Sequence, residues 1–121
     1  DLRYGVNTNQ STGATAEKFL ADYESNNGNA PEAPFWAHSY DAATILLEAI
    51  KAASHSHDGN LEIDRAGVRE YLDNLSGYEG IIGTLSCDDF GDCGAQRITV
   101  VQNSSADFAG SIENVVFSFA P

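Results

Sequence analysis

The order of the hydrophobic patterns along this chain constrains its fold more than any other feature. Up to about residue 76 the apolar residues recur at helical spacings, and beyond it they alternate as they do in strands. We predict three helices, which cover about residues 14–26, a stretch from Trp36 or Ser39 to Ala53, and residues 65–75. Thr12 is predicted to cap the first helix, Gly28 to follow its end, and Asp64 to cap the third helix.

The predicted strands lie mainly in the last third of the chain. Residues 81–87 and 96–102 are predicted to pair as an antiparallel hairpin with its turn at residues 88–94. Residues 115–119 are predicted to form a last strand. Residues 2–6 are predicted to form a short strand or the tail of an interrupted element, and residues 54–60 an exposed loop.

Three helices followed by an antiparallel hairpin and a last strand place the chain in the α/β class. Its 121 residues suit one domain. The second helix is apolar around most of its circumference, so we expect it to be covered on more than one side. The sequence holds no methionine, so residue 1 is not a translation start, and we interpret the chain as a piece of a longer product.

The charge of the chain excludes two classes of partner. Its 18 acidic and 6 basic residues give a net charge of −12 at neutral pH. Nucleic-acid binding and docking on an anionic membrane both need a basic surface, so we predict neither. No apolar run approaches the roughly 20 residues that span a bilayer.

Cys87 and Cys93 enclose a short segment that contains a glycine, in Cys-Asp-Asp-Phe-Gly-Asp-Cys. Cysteines on either side of a turn favour a local disulfide. A zinc site is the alternative, but zinc takes four ligands and this loop supplies only two thiols. We predict a Cys87–Cys93 disulfide, which indicates an oxidising compartment such as the periplasm, the cell surface or the medium.

Several short motifs occur in an order that is typical of one protein family. They are Phe19-x-x-x-Tyr23, Gly28-x-x-Pro31, Ser39-Tyr40-Asp41-Ala42, Leu46-Leu47-Glu48-Ala49-Ile50, Asp64-Arg65, Val68-Arg69-x-x-Leu72, Tyr78-Glu79-Gly80-Ile81-Ile82-Gly83, Leu85-x-Cys87-Asp88-x-Phe90-Gly91-Asp92 and Ile98-Thr99-Val100-Val101-Gln102. From about Phe19 to Val116 the chain resembles the C-terminal third of the extracellular solute-binding proteins of branched-chain amino acid ABC transporters, which are type I periplasmic binding proteins.

The resemblance implies a part of a two-lobed α/β fold whose lobes close on a ligand in the cleft between them. Residues 1–121 would then be a single C-terminal fragment, with its helical part at about 14–76 and its strands at about 79–120. Most ligand-contacting residues of such a protein would lie outside this sequence. The implied partners are a small-molecule ligand, such as an amino acid, and an ABC permease that the full-length protein would meet.

Two features differ from the family pattern. Cys87 and Cys93 flank a turn that usually lacks cysteines in the family. Relatives can place a bulky aromatic residue just before the Tyr-Asp-Ala helix, where it lines the ligand side chain, whereas the aligned position here is Ala37. Either the register differs by one residue or the pocket is more open here, so the identity of the amino-acid-like ligand stays open.

We predict ligand contacts at Trp36, Ala37, His38 and Tyr40, where the second helix begins. The first N–H groups of a helix lack partners within it, so a ligand carboxylate suits this place. The side chains have structural interpretations as well: Trp36 as an aromatic packed under the connector, His38 as a histidine satisfied near the helix start, and Tyr40 as a core residue. Asp41, in the first helical turn, would argue against an anion.

Two further clusters contain residue types found in metal sites. We interpret His55-Ser56-His57-Asp58 as a solvated loop, because no third histidine is near in sequence. We interpret residues 88–92 as an acidic turn, because they lack the ligand spacing of an EF-hand. The sequence contains no nucleophile elbow and no phosphate-binding glycine loop, so we predict no enzyme activity, no cofactor and no metal site.

The function predicted is the capture of an amino acid or similar small solute for ABC-transporter import. We expect a periplasmic or extracellular location. One form of the protein would carry a lipid anchor at an N-terminus that lies outside this sequence. Uncovered sheet edges would favour self-association of the fragment. The alternative function is a small acidic, disulfide-stabilised interaction module with calcium as a candidate ligand.

Overall fold

The structure is a computed structural model that describes residues 2–5, 14–32, 35–95, 98–102 and 114–119. In chain order its elements are β1 (Leu2–Gly5), α1 (Ala14–Asn27), α2 (Trp36–Ala52), β2 (Ser54–His57), β3 (Asn60–Ile63), α3 (Arg65–Asp73), β4 (Tyr78–Gly80), β5 (Gly83–Cys87), β6 (Cys93–Gly94), β7 (Ile98–Gln102) and β8 (Val115–Phe119). They fall into two compact units, residues 1–36 with 96–121, and residues 37–95. The α/β class, with three helices and antiparallel strands in the described ranges, is confirmed.

The predicted helices form close to their predicted bounds because their end signals act as expected. Gly28 follows α1 with a φ of 81°, and its N–H donates to the carbonyl of Glu24 at 2.8 Å. The carboxylate of Asp64 accepts a hydrogen bond from the N–H of Ala66 at 2.9 Å and caps α3. The predicted cap Thr12 lies outside the described residues.

The first unit contains an antiparallel sheet in the order β1-β7-β8. β1 pairs with β7 from Leu2 opposite Gln102 to Gly5 opposite Thr99. β8 pairs with the other edge of β7, with a register shift between Val100 and Val101. The predicted hairpin between residues 81–87 and 96–102 is therefore wrong, because β7 pairs with β1 and β8 and not with β5.

The second unit contains a sheet in the order β4-β5-β6. Tyr78 lies opposite Leu85, and Cys87 lies opposite Cys93. The predicted turn after Cys87 is present, but the return strand is only Cys93–Gly94. The disulfide and the turn hold these two residues against β5. The next strand of the chain, β7, belongs to the sheet of the first unit.

The core of the second unit lies between α2, the end of α3 and β5. On α2 the buried residues are Ala37, Asp41, Ile45 and Ala49, which follow one another at intervals of four. Ile45 packs with Leu75 and Leu85, surrounded by half-buried residues that include Tyr71, Leu72, Tyr78 and Ile82. Leu46 and Leu47 are exposed, so within the described residues α2 is covered along one stripe and not on several sides as predicted.

A short hairpin occupies the place where an exposed loop was predicted. β2 and β3 pair from Ser54 opposite Ile63 to His57 opposite Asn60. Asp58 and Gly59 join them with φ values of 49° and 78°, which is the backbone of a type I′ turn. The prediction failed because Ser-His-Ser-His shows no apolar alternation, although Asp-Gly is itself a strong hairpin signal.

Candidate functional site

Trp36 is the first residue of α2, and its indole stacks on Phe19 of α1. The two ring centroids are 5.2 Å apart and the ring planes differ by only 5°. Phe19 in turn contacts Tyr23, one turn further along α1, with ring centroids 5.8 Å apart. This packing occupies one face of the indole, and because Trp36 is only half-buried, part of the ring remains accessible to a ligand.

The other three predicted ligand contacts share the first turns of α2 but differ in exposure. Ala37 is buried, with 1% of its surface accessible, so its methyl group is not available to a ligand. His38 is exposed, and Tyr40 is half-buried. The carbonyl of Tyr40 accepts a hydrogen bond from the hydroxyl of Thr44 at 2.9 Å. The first turns of the helix therefore carry one imidazole and one phenol that are at least partly exposed.

Asp41 lies in the second turn of α2, not in the first as predicted, and only 2% of its surface is accessible. Its carboxylate accepts hydrogen bonds from the N–H of Ile81 at 2.8 Å and from the N–H of Ile82 at 2.9 Å. These two N–H groups lie in the turn between β4 and β5. Asp41 therefore ties α2 to that turn.

A groove of about 530 Å³ lies elsewhere in the second unit, between the end of α2, α3 and the segment that leads into β4. Its lining includes Glu70, Tyr71, Asn74 and Tyr78, and none of the four predicted ligand contacts. Burial raises the pKa of Tyr78 above its ordinary value, and the carboxylates of Glu48 and Asp41 raise it further. The Tyr78 hydroxyl is therefore a neutral hydrogen-bonding group at physiological pH.

The predicted disulfide between Cys87 and Cys93 is present and joins Cα atoms 4.0 Å apart. The loop that it closes is ordered by Asp88, whose carboxylate accepts hydrogen bonds from the N–H groups of Phe90 and Asp92, each at 2.9 Å. Phe90 stands at the tip of this loop with 92% of its surface exposed. Asp88 thus stabilises the turn, because one of its carboxylate oxygens accepts both backbone hydrogen bonds.

The hairpin of β2 and β3 brings together three titratable side chains that are spread over eight residues of sequence. The Nε2 atom of His55 lies 3.1 Å from one oxygen of Glu62, and the Nδ1 atom of His57 lies 3.4 Å from the other oxygen. Asp58 adds a second carboxylate, with its oxygen 3.9 Å from the same Nδ1 atom. The sequence analysis did not identify Glu62, because its position opposite His55 depends on the strand register.

The described residues lack two kinds of feature. No helix there is long and apolar enough to cross a membrane. Within the same ranges, no three histidine, cysteine, aspartate or glutamate side chains surround a common point at which a metal ion would sit.

Comparison with known proteins agrees with the mixed α/β fold, which is consistent with a fragment of a type I periplasmic binding protein. A solved structure, that of the leucine-binding protein LivK from Thermotoga maritima, is similar to this chain with a TM-score of 0.58 and 27% sequence identity. The match covers 92% of this chain and 28% of that one, so the chain spans less than a third of that protein's length. No protein-family model matches the chain, and no curated protein matches its sequence.

The likeness connects the chain with solute binding at the level of the fold. The similar protein is described as a leucine-binding protein. Its class and the Cys87–Cys93 disulfide are compatible with an extracellular or periplasmic location.

Proposed function

We propose that the chain is part of an extracellular or periplasmic solute-binding protein that captures an amino acid or a similar small solute for import by an ABC permease. The observation that carries this proposal is the likeness to a leucine-binding protein over 92% of the chain. It extends across both compact units and does not depend on one motif. The chain would contribute to one wall of the ligand cleft in the full-length protein, which would be either free or anchored by a lipid.

The proposed ligand contacts are those at the start of α2. The exposed part of Trp36 would pack on the apolar part of the solute, and the imidazole of His38 would donate to its carboxylate. Tyr40 offers a phenol on the same turns of the helix. Ala37 would contribute its backbone N–H and not its buried methyl group.

Asp41 supports this placement in a way that the sequence did not reveal. A carboxylate in the first turn would compete with an anionic ligand for the helix N–H groups. Both of its oxygens instead accept hydrogen bonds from Ile81 and Ile82. The Asp41 carboxylate therefore serves the turn between β4 and β5 and does not compete with an anionic ligand at the first turn of the helix.

Ligand-dependent thermal unfolding of the full-length protein tests this function. The twenty amino acids, their amides and Ca²⁺ would be added singly. A ligand at a hundred times its dissociation constant stabilises a protein by about 2.7 kcal/mol, which is easily measured. Stabilisation by one class of amino acid supports the proposal. Stabilisation by Ca²⁺ alone, or by none of the additives, contradicts it, and the calcium result would favour the acidic interaction module.

A further inference from the structure

The β2–β3 hairpin carries a cluster of side chains that the solute-binding role leaves unused. His55 and His57 are two residues apart on one strand, so their side chains stand on the same face of the hairpin. Glu62 is directly opposite His55 on β3 and shares that face. The two-residue turn at Asp58-Gly59 fixes this register.

The distances within the cluster show that one carboxylate is shared by two imidazoles. The separations are 3.1 Å from His55 Nε2 to Glu62 Oε2 and 3.4 Å from His57 Nδ1 to Glu62 Oε1. Two ligand atoms at about 2.1 Å from one ion in tetrahedral geometry lie about 3.4 Å apart. Each imidazole is thus already at the distance from the carboxylate that joint coordination of one ion requires.

We propose that this face of the hairpin binds a divalent transition-metal ion of the zinc type through His55, His57 and Glu62. Two imidazoles and one carboxylate form a donor set that suits Zn²⁺, Ni²⁺ and Cu²⁺ and leaves a coordination position open. The prediction of no metal site assumed an unstructured loop without a third ligand, and the hairpin supplies that ligand.

The side chains must turn to reach the bound arrangement. In their present positions no group of three or more such side chains in the described ranges could hold a metal ion. The side chains of His55, His57 and Glu62 are 60%, 67% and 52% exposed, so they turn on the hairpin without disturbing the core. An ion entering between them would replace the present contacts between ring and carboxylate.

The charges around the three side chains favour a cation, but the donor set does not suit hard cations such as Ca²⁺ and Mg²⁺. Asp58 stands beside His57, and the chain as a whole has a net charge of −12, which raises the local concentration of cations. Ca²⁺ and Mg²⁺ prefer six or more oxygen ligands, of which the cluster offers only the oxygens of Glu62 and of its neighbour Asp58. Because a metal binds the neutral imidazole and not the protonated imidazolium, we expect the affinity to fall on acidification.

Isothermal titration of the protein with ZnCl₂ at neutral pH tests the proposal, with the histidine ring signals followed by NMR. We expect one ion per chain and perturbed ring signals of His55 and His57. We expect His55→Asn and His57→Asn each to weaken binding by about tenfold or more, and Glu62→Gln to weaken it measurably.

The controls separate this site from general attraction to an acidic surface. His38→Asn removes the remaining histidine of the sequence, and Asp89→Asn removes an exposed carboxylate outside the hairpin. Both should bind zinc within about twofold of the original protein. The proposal is overturned if zinc does not bind, if His55→Asn binds it as well as the original, or if CaCl₂ competes equally for the site. Circular dichroism of each variant excludes loss of fold as the cause.

Discussion

The carboxylate of Asp41 lies against the backbone of Gly80 so closely that no side chain fits between them. A Cβ atom at Gly80 would be 2.5 Å from Oδ2 of Asp41 and 2.8 Å from its Cγ atom. The close approach is what allows the carboxylate to reach the N–H groups of Ile81 and Ile82. It fixes the turn between β4 and β5 against the same helix whose first two turns carry the proposed ligand contacts.

Gly80→Ala should therefore destabilise the second unit. The added methyl must displace the Asp41 carboxylate, and overpacking of this kind costs about 1–3 kcal/mol in free energy of unfolding, measured by urea denaturation. The same substitution in an Asp41→Ala background should cost clearly less, because the obstructing carboxylate is gone. Equal costs in the two backgrounds would show that the contact does not determine the effect.

Asp41→Asn keeps the shape of the side chain and removes half of its acceptors. Its amide NH₂ would face one of the two N–H groups that the carboxylate now accepts, so a buried donor would be left without an acceptor. We expect a loss of about 1–3 kcal/mol in the free energy of unfolding. The exposed Asp89→Asn is the matched control and should change stability by less than about 0.5 kcal/mol. Similar losses of stability from the two substitutions would contradict a role of Asp41 in holding α2 against the turn between β4 and β5.

Removal of the disulfide should lower stability without changing the fold. The bridge joins residues six positions apart, and closing such a short loop is worth about 2 kcal/mol in the chain-entropy account. Cys87→Ser combined with Cys93→Ser should lower the free energy of unfolding by about this amount. A reductant should have the same effect on the original protein and none on the double variant. A double variant as stable as the oxidised protein would contradict the prediction.

The raised pKa of Tyr78 predicts a loss of stability in alkaline solution. Its ordinary value is 10.0, and burial together with Glu48 and Asp41 raises the pKa in the folded protein. Below pH 10 the residue is protonated in both states. Above it the unfolded chain loses the proton first, so the free energy of unfolding falls as the pH rises towards the folded pKa.

Urea denaturation between pH 8 and 11 measures this effect. Tyr78→Phe should reduce the alkaline loss of stability, whereas Tyr23→Phe should leave it unchanged. An equal alkaline loss in the original protein and in Tyr78→Phe would contradict the assignment to Tyr78.

The helices could be predicted from the sequence because their signals are local. Apolar residues at helical spacing define their faces, and Asp64 and Gly28 mark two of their ends within a few residues. The disulfide was equally local, since its cysteines flank a single turn. The partners of β7 could not be predicted. Two strand patterns that flank a turn look like a hairpin in the sequence, even where each strand pairs with other strands in the fold.

The site was predicted only in part for the same reason. The position of Trp36 at the start of α2 follows from the sequence, but its stacking on Phe19 depends on how the connector returns to α1. The buried role of Asp41 depends on N–H groups forty residues away. Glu62 became visible only through the register of β2 and β3, for which Asp58-Gly59 was the available signal.

The full-length protein should capture an amino acid at a site that includes Trp36. Isothermal titration of the full-length protein with the amino acid that gives the largest thermal stabilisation measures this binding. We expect one ligand per chain and an affinity that Trp36→Ala lowers about tenfold or more, as is typical of an aromatic residue that a ligand covers. Phe90→Ala, which removes an exposed aromatic residue, should leave the affinity unchanged. Absence of binding by any amino acid, or equal affinity in Trp36→Ala and the original protein, would contradict a solute site at Trp36.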